Sequence, residues 1–393
     1  MSSLYQREAD AFFHTYTRIP LEIDHGEGLY LYTKDGSRYL DMFSGLAVNP
    51  LGYGHPGILK AIQEQAARYI HVSNYYLQEP QIRLAELLLK HTGYARAFFS
   101  NSGTEATEGA IKIARQWGSE KRKSEIISFT NAFHGRTYGA LSLMDRPKYK
   151  DGFGPFLSGF RSVAFNDAAE LSGAVSETTA AVIVECIQGE GGVRPITLEF
   201  ADRLTALKKK FGFLLIADEI QSGLGRTGTF FGYEHFGLHP DIVLMAKPIG
   251  GGLPLGVILG NSAVAEVLQP GMHGTTFGGN PVACAAGVAV LQEVAEKGLI
   301  KNADTMGALM KSMLVDLANE FPNLVREVRG YGLMLGAELD RDCEPVVAAM
   351  RERHILINGT DRTVLRFLPP LIVREEHIRT TIEALREVMD GMR

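Results

Sequence analysis

Two short apolar runs lie near the middle of the chain, and each ends abruptly in polar residues. The first covers residues 213–217 and is followed by Asp218 and Glu219, and the second covers residues 242–246 and is followed by Lys247. Runs of this length, apolar at every position, are typical of strands buried on both faces of a parallel sheet. Because ligands of open α/β sheets bind at the carboxyl ends of strands, we expect Asp218 and Lys247 to face one crevice.

Strands and helices alternate along most of the chain. Further apolar strands are predicted at residues 97–100, 125–129 and 180–185, and helices at 58–69, 79–90 and 199–211. This order predicts an α/β fold, with a mostly parallel central sheet in a large domain over residues 51–290. Residues 1–50, which include a predicted hairpin around Lys34, are expected to join residues 291–393 in a smaller α+β domain.

The composition is that of an ordinary globular chain. Of 393 residues, 45% are hydrophobic and 22% charged, and the net charge of −5 gives no electrostatic reason to expect nucleic acid or an anionic membrane as partner. No stretch reaches transmembrane length, and residues 1–18 lack the apolar core of a signal peptide. The three cysteines show neither a CxxC pair nor zinc-ligand spacing. We therefore expect a cytoplasmic protein that binds small molecules and no metal.

The two strand-end charges match the needs of one cofactor. Pyridoxal phosphate requires a lysine that bonds covalently to its aldehyde and an acid against its pyridinium nitrogen. Lys247 would supply the amine, and Asp218 would keep the ring nitrogen protonated. An ion pair at the sheet edge is the alternative, and these two residues taken alone favour it. The other motifs of the chain decide between the two interpretations.

A second motif predicts a site for a phosphate group. The sequence NSGTEATEGAIKIARQW places Ser102, Gly103 and Thr104 just before a helical run. The free N–H groups and the dipole at the start of a helix bind anions. An ordinary helix cap, with Glu105 in the first turn, is the alternative.

Longer motifs connect these features to a known family. ADEIQSGLGRTG followed by AKPIGGGLPLG resembles the signature of class III (ω-amino acid) aminotransferases, a family with the fold-type I architecture of pyridoxal-phosphate-dependent transferases. The resemblance covers nearly the whole chain and implies bound pyridoxal 5′-phosphate. SNYYLQEPQ, FHGRT and PKYKDGFGP resemble the acetylornithine branch of the family.

The resemblance also implies contacts to the cofactor. Phe133 is expected to stack on the pyridine ring, and Gln221 to hydrogen-bond the phenolic oxygen. Thr276 resembles a threonine that reaches the phosphate held by the neighbouring subunit, and Thr275 is expected to touch substrate there. The active site would then exist only in a homodimer, whereas a simple capping hydroxyl is the alternative. The full expected set of cofactor contacts is Ser102, Gly103, Thr104, Phe133, Asp218, Glu219, Ile220, Gln221, Lys247 and Thr276.

Two arginines and a glutamate are the expected substrate-binding residues. Arg366 resembles the arginine that binds the α-carboxylate of glutamate, and Arg136 the one that binds the far carboxylate. Arg366 lies among apolar neighbours in TVLRFLPPL, where an unpaired charge is costly. Glu190 is expected to neutralise Arg366 while a terminal amine reacts, and to swing away when glutamate or 2-oxoglutarate arrives.

Lys247 is expected to perform two tasks, first holding the cofactor and then acting as the general base. Pro248 predicts extended backbone angles for Lys247, because a proline restricts the residue before it. No task is predicted for His134.

The expected reaction moves the terminal amino group of N2-acetylornithine to 2-oxoglutarate, giving N-acetylglutamate 5-semialdehyde and glutamate, a step of arginine biosynthesis. Leu46 lies near the position where ornithine aminotransferases carry a tyrosine, and this difference disfavours free ornithine. Succinylornithine, 4-aminobutyrate, ornithine and a carrier-linked lysine are alternative donors.

Two interpretations from other functional classes remain. Gly223, Gly225 and Gly228 satisfy GxGxxG after a strand, as in dinucleotide-dependent oxidoreductases, but no amphipathic helix follows them. A non-catalytic cofactor-binding protein is the other alternative, and the intact Lys247 and Asp218 argue against it.

Overall fold

The computed structural model describes residues 4–392, so residues 1–3 and 393 of the predicted terminal segments lie outside the described range. The strands within that range are β1 (Ile23–Glu27), β2 (Tyr30–Thr33), β3 (Arg38–Asp41), β4 (Arg96–Ser100), β5 (Glu125–Phe129), β6 (Phe160–Val163), β7 (Thr179–Val184), β8 (Ile187–Gln188), β9 (Arg194–Pro195), β10 (Leu214–Asp218), β11 (Ile242–Met245), β12 (Gly256–Gly260), β13 (Val325–Tyr331), β14 (Met334–Leu339), β15 (Ile355–Leu356), β16 (Asn358–Thr360) and β17 (Val364–Phe367). The helices are α1 (Leu4–Ala11), α2 (Ser44–Ala47), α3 (Pro56–Arg68), α4 (Glu79–Thr92), α5 (Gly103–Ser119), α6 (Tyr138–Ser142), α7 (Pro147–Lys150), α8 (Ala168–Ala174), α9 (Leu198–Phe211), α10 (Pro281–Glu296), α11 (Leu299–Glu320), α12 (Glu344–Glu352) and α13 (Glu375–Asp390).

A seven-stranded sheet forms the centre of the fold, in the order β4-β12-β11-β10-β7-β5-β6. Strand β12 runs antiparallel to its neighbours β11 and β4, while the remaining neighbours in this sheet are parallel. The predicted α/β fold with a mostly parallel central sheet is therefore confirmed.

The central strands are apolar at every position because helices cover both faces of the sheet. In β10, Leu214 and Ile216 belong to a core with residues of α5, whereas Leu215 belongs to a core on the other face with Phe200 and Leu204 of α9. Successive side chains of a strand point to opposite faces, so a strand covered on both sides shows no polar alternation. Burying each such side chain contributes about 1.5–3 kcal/mol to folding.

Both ends of the chain contribute strands to one smaller sheet, in the order β1-β2-β3-β15. Ile355 of β15 lies beside Leu40 of β3 in parallel register. A separate antiparallel sheet has the order β13-β14-β17-β16. The division into a large domain at 51–290 and a small domain built from the two termini stays a prediction. Within residues 4–392, no helix combines the length and the apolar character needed to cross a membrane.

The chain turns sharply where β11 ends, and Lys247 lies at this turn. Lys247 begins a 3-10 turn over Lys247–Gly250 and has a φ of 44°, in the left-handed region. The extended conformation predicted from Pro248 is wrong, because the turn is closed by a 3.2 Å hydrogen bond from the Ile249 N–H to the Ala246 carbonyl. A left-handed conformation is costly for a residue with a side chain, and such strain is often found at functional sites.

Candidate active site

A cavity of about 430 Å³ lies at the carboxyl ends of the central strands. Asp218, the last residue of β10, lies opposite Leu244 of the parallel neighbour β11. Lys247 follows Leu244 by three residues and therefore lies at the same end of the sheet as Asp218. The sequence-predicted residues that line the cavity are Ser102, Gly103, Thr104, Phe133, Arg136, Glu190, Asp218, Ile220, Gln221 and Lys247. The expectation that Asp218 and Lys247 face one crevice is met by this geometry.

The amine of Lys247 is enclosed in this cavity. Burial lowers the pKa of Lys247 below its usual value, while the nearby carboxylate of Glu190 acts in the opposite direction. Within the described range, no carboxylate forms a salt bridge with Lys247, so the predicted alternative of a direct Asp–Lys ion pair is not found. A buried amine with a lowered pKa is more easily deprotonated, as a nucleophile or a general base must be.

A hydrogen bond of 2.7 Å joins Nδ1 of His134 to Oδ2 of Asp218. Both side chains are buried, and the other oxygen of Asp218 accepts the Ile220 N–H at 3.1 Å. Burial disfavours a charged His134, but the hydrogen bond and the charge of Asp218 outweigh it and raise the pKa of His134. Sequence reasoning missed His134, because the chain alone does not show that this loop histidine reaches a strand end 84 residues away.

A second buried carboxyl group, Glu185, lies beside this pair and was also missed. It follows strand β7, the parallel neighbour of β10, and accepts the N–H groups of Phe133 at 2.9 Å and Gly189 at 3.3 Å. Burial raises the pKa of Glu185 to about 7. The signal that identified Asp218, a carboxylate directly after an apolar strand, would have identified Glu185 as well.

The start of α5 forms one wall of the cavity. Ser102 caps the helix by accepting the Glu105 N–H at 3.3 Å. The Thr104 hydroxyl oxygen accepts the Arg136 N–H at 3.1 Å and thereby links the helix to the FHGRT loop. Gly135 has a φ of 138°, and a Cβ there would collide with Thr104, so only glycine allows this close approach. The first N–H groups of a helix lack intrahelical acceptors and are available to an anion at this wall.

Arg366 is buried beside the cavity and is fully engaged by polar side chains. Its Nη1 lies 2.6 Å from Oε1 of Glu190, and Asn358 Oδ1 accepts from its Nε at 3.1 Å and from its Nη2 at 2.6 Å. Gln221 accepts from the same Nη1 at 3.3 Å. Burial opposes ionisation of Glu190, but the charge of Arg366 outweighs it and holds the pKa of Glu190 below its usual value. Asn358 was not predicted, and it is the cross-strand neighbour of Arg366 in the β16–β17 pair.

Arg136 lies at the exposed side of the cavity. Its guanidinium group lies 4.0 Å from the centre of the Tyr149 ring and 5.3 Å from that of Phe133. The two rings meet edge to face at 5.8 Å. Cation–π contacts of this kind orient the guanidinium group while leaving its N–H donors free for a ligand.

Apart from Arg366, which lies beside the cavity, three predicted site residues do not line it. Glu219 points the other way, as expected for the neighbour of Asp218 on an extended strand end, and accepts the N–H groups of Gly232 at 2.9 Å and Tyr233 at 2.8 Å. We therefore correct Glu219 from a cofactor contact to a residue that anchors the following loop. Thr275 and Thr276 line a separate surface pocket of the same chain.

The cavity fits pyridoxal phosphate in four independent respects. It contains the amine of Lys247, a buried carboxylate at Asp218, the start of a helix at Gly103 and the ring of Phe133. These groups match the aldehyde, the ring nitrogen, the phosphate and the aromatic face of the cofactor. Among the described residues, no group of three or more His, Cys, Asp or Glu side chains has the arrangement of a metal site.

Comparison with known proteins agrees with this geometry. The model of the family "Aminotransferase class-III" matches residues 11–389. The acetylornithine aminotransferase of Aquifex aeolicus is 45% identical over 379 residues, which are 96% of this chain and 99% of that protein. This chain belongs to the class-III aminotransferase family.

Solved structures of other aminotransferases have the same fold as this class-III aminotransferase. An ornithine aminotransferase of Toxoplasma gondii, described with partial occupancy of PLP at its active site, has a TM-score of 0.94 at 32% identity over 98% of this chain and 94% of its own. The acetylornithine aminotransferase of Elizabethkingia anophelis has a TM-score of 0.88 at 31% identity, over 98% of both chains. The predicted fold-type I architecture is confirmed.

Membership of the family decides between the functional classes predicted from the sequence. The class-III aminotransferase is an enzyme that depends on pyridoxal phosphate and transfers an amino group from a donor to a keto acid. The alternative prediction of a dinucleotide-dependent oxidoreductase is wrong. Its glycines, Gly223, Gly225 and Gly228, lie in a loop. A 3-10 turn at Gly232–Phe236 follows this loop, where a dinucleotide-binding site would have a helix. A non-catalytic binding protein is likewise ruled out by the match to enzymes over nearly the full length.

Proposed function

We propose that this aminotransferase moves the terminal amino group of N2-acetylornithine to 2-oxoglutarate. The observation that carries the proposal is the pairing of Glu190, which lines the cavity with Lys247 and Asp218, with Arg366 beside that cavity. An enzyme that exchanges a terminal amine for an α-amino acid needs an arginine that is neutralised for one substrate and free for the other. Relatives described as acetylornithine aminotransferases are 45% and 46% identical to this chain, which supports the named donor.

The proposed role of Lys247 is to hold the cofactor and then to move a proton. When bound, pyridoxal phosphate accepts the electron pair of a breaking C–H bond into its protonated ring. The Lys247 amine takes the proton from the substrate carbon that carries the amino group, and its lowered pKa favours the neutral form that this task requires. Asp218 keeps the ring nitrogen protonated, and His134 fixes the orientation of Asp218 through the 2.7 Å hydrogen bond.

The remaining lining residues position the cofactor and are proposed as binding residues. Ser102, Gly103 and Thr104 hold the phosphate, because they line the cavity at the start of α5, where a helix has N–H groups without intrahelical acceptors. The ring of Phe133 stacks on the cofactor, and Ile220 contacts it from the segment after Asp218. Gln221 donates a hydrogen bond to the phenolic oxygen through its amide nitrogen, since its amide oxygen is engaged by Arg366.

The two arginines take the two carboxylates of glutamate or 2-oxoglutarate in this proposal. Arg366 binds the α-carboxylate and Arg136 the far carboxylate, each through a planar fork of N–H donors. While the terminal amine of N2-acetylornithine reacts, Glu190 neutralises Arg366, so that its buried charge does not face the apolar carbon chain.

We also propose a homodimer with shared active sites. Thr275 and Thr276 lie outside the cavity of their own chain, and Phe277 beside them is 60% exposed. Tyr75 and Leu77, which are 96% and 93% exposed, provide further apolar surface. A second copy covering this surface would bring Thr276 to the phosphate in the partner's cavity and Thr275 to its substrate. The cytoplasmic location stays a prediction, and three buried free cysteines are consistent with it.

The choice of donor is tested by comparing four amines. Purified enzyme loaded with pyridoxal phosphate is mixed separately with N2-acetylornithine, ornithine, 4-aminobutyrate and succinylornithine, and the cofactor absorbance is followed. We expect the fastest change with N2-acetylornithine and full recovery of the spectrum on addition of 2-oxoglutarate. A faster change with another amine would keep the mechanism and replace the donor, and no change with any amine would overturn the catalytic assignment.

A further inference from the structure

We propose that Arg146 receives the carboxylate of Glu190 when Glu190 leaves Arg366, and that Arg146 is therefore a positioning residue for dicarboxylate substrates. The inference rests on the proposed function, in which a terminal amine and 2-oxoglutarate use one cavity in turn. The proposed function requires Glu190 to leave Arg366, and this inference identifies Arg146 as the group that then binds its carboxylate.

Glu190 lies on the wall between two cavities. On one side is the cavity with Lys247, of about 430 Å³, and on the other is a second cavity of about 480 Å³. Arg146 and Asp361 line the second cavity and not the first. The Glu190 side chain retains 24% exposure even while it is paired with Arg366. There is therefore space on both sides of the wall for its carboxylate.

The backbone of Glu190 is fixed, so that a side-chain rotation is enough for the exchange. Its carbonyl oxygen accepts hydrogen bonds from Nη2 of Arg146 at 3.0 Å and from the Thr360 hydroxyl at 2.9 Å. Two residues further on, the Gly192 carbonyl accepts from Nε of Arg329 at 2.9 Å and from its Nη2 at 2.7 Å. These bonds hold the loop in place and do not involve the carboxylate of Glu190, which is bonded to Arg366.

The guanidinium group of Arg146 has capacity for a carboxylate. Its side chain is 12% exposed, and its Nε is buried without a hydrogen-bond partner. The nearest carboxylate oxygen, Oδ1 of Asp361, is 3.9 Å from Nη2 and so beyond hydrogen-bond distance. A buried N–H group without an acceptor is unfavourable, and an arriving carboxylate would satisfy it through a charge-assisted hydrogen bond.

Charge balance gives the physical reason for this second position. When the α-carboxylate of a substrate binds Arg366, it displaces Glu190 from its cation. Without another partner, Glu190 would then be an uncompensated charge in a largely buried setting, and this cost would weaken substrate binding. Arg146 already contacts the backbone of the same residue and removes that cost.

The experiment compares Arg146→Gln and Arg146→Lys with the unchanged, cofactor-loaded enzyme. The two half-reactions are measured separately, and the binding of glutarate, a dicarboxylate that cannot react, is measured by calorimetry. For Arg146→Gln we expect KM in the dicarboxylate half-reaction and the Kd of glutarate to rise on the order of tenfold, the effect of losing one charge-assisted hydrogen bond. The half-reaction with the terminal amine should be unchanged, because Glu190 stays on Arg366 throughout it. Arg146→Lys should restore part of the loss.

Two neighbouring variants serve as matched controls. Thr360→Val removes the other hydrogen bond to the Glu190 carbonyl but no charge, so it should not produce the selective loss of dicarboxylate binding. Asp361→Asn should act in the opposite direction and tighten glutarate binding, because it removes the carboxylate nearest to Arg146. Asparagine also tolerates the left-handed backbone of Asp361, whose φ is 49°.

Three results would overturn the inference. The first is an equal rise of KM in both half-reactions of Arg146→Gln, and the second is an unchanged KM in both. The third is weaker glutarate binding in Asp361→Asn. If Arg146→Gln does not fold, Arg146→Lys and Asp361→Asn still decide the question. A failure of the proposed function would be detected separately, because the unchanged enzyme would then transfer no amino group from N2-acetylornithine. The Arg146 comparison can then be made with glutarate and whichever terminal amine the enzyme accepts.

Discussion

Nδ1 of His134 lies 2.7 Å from Oδ2 of Asp218, with side-chain exposures of 0% and 3%. A buried carboxylate needs hydrogen-bond partners, and His134 is the side chain that provides one here, beside the Ile220 N–H. The pair therefore holds Asp218 in one orientation at the cavity.

Replacing His134 with leucine removes this donor at similar volume. We expect the Kd of pyridoxal phosphate to rise and kcat to fall, each on the order of tenfold, because a charge-assisted hydrogen bond is worth about 1.5–3 kcal/mol. Titration of the cofactor-free protein and steady-state kinetics measure both quantities. His239→Asn, at an exposed histidine, is the control and should change neither. An unchanged Kd and kcat in His134→Leu would contradict the role of the pair.

Substitutions of Lys247 separate its chemistry from its backbone strain. Lys247→Ala and Lys247→Gly both remove the amine, so turnover should fall by about 10³-fold or more in each. Glycine accepts the observed φ of 44° without strain, and the glycine variant should therefore be more stable than the alanine variant by about 1 kcal/mol. Thermal denaturation of the cofactor-free proteins measures this difference. Equal stability would argue against strain, and appreciable turnover would argue against the catalytic assignment.

Glu190→Gln keeps the size of the side chain and removes its charge. Arg366 would then be uncompensated while a terminal amine reacts, and we expect kcat/KM for that half-reaction to fall on the order of tenfold or more. The half-reaction with 2-oxoglutarate should be unchanged or improved, since no carboxylate has to be displaced. Glu177→Gln, at an exposed position, is the control. If kcat/KM of both half-reactions is the same in Glu190→Gln as in the unchanged enzyme, the proposed exchange of Glu190 for a substrate carboxylate at Arg366 is wrong.

Mixed dimers test whether Thr276 acts in the partner's cavity. Lys247→Ala should be inactive alone, and Thr276→Val should bind the cofactor more weakly because it loses a hydroxyl donor to the phosphate. In a dimer with one subunit of each kind, one cavity has both defects and the other has an intact lysine and an intact threonine. Activity per mixed dimer should therefore reach about half that of the unchanged enzyme. The active cavity should bind the cofactor with the same affinity as the unchanged enzyme. Cofactor affinity as weak as in Thr276→Val would show that each chain uses its own threonine.

The buried Glu219 predicts a pH dependence of stability. Burial raises its pKa from 4.5 to about 7 in the folded protein, so the folded state binds more protons than the unfolded state between these values. Its contribution to stability is therefore largest below pH 4.5 and is lost as pH rises towards about 7, by on the order of 1–3 kcal/mol. Glu219→Gln cannot ionise, so the stability of the unchanged protein relative to this variant should fall between pH 5 and pH 7.5 in denaturant titrations. A constant difference across that range would contradict the raised pKa.

Much of the central fold could be predicted because it depends on local pattern. The apolar runs at 213–217 and 242–246 became β10 and β11, since a strand covered on both faces has to be apolar throughout. Their parallel pairing places Asp218 and Lys247 at the same edge of the sheet, as predicted. The helix start after Ser102 was similarly evident from a short stretch of sequence.

Other features depend on contacts between distant parts of the chain. The pairing of His134 with Asp218 and that of Asn358 with Arg366 require the register and packing of elements that the sequence does not align. The same holds for Arg146, which meets Glu190 across 44 residues of chain. The direction of a side chain at the end of a strand is set by the strand's register, and so Glu219 points away from the cavity that its neighbour faces.

The sequence by itself determined the fold class, the family and the residue types that carry the chemistry, because periodicity and motifs depend only on residues that are close together along the chain. Only the tertiary structure decided which of those residues share a cavity, which buried charges are paired and which backbone angles they adopt. Burial and hydrogen bonding act between atoms that are close in space, and folding alone determines that closeness. The left-handed turn at Lys247 illustrates this, since the local preference imposed by Pro248 gave way to the turn that the sheet edge requires.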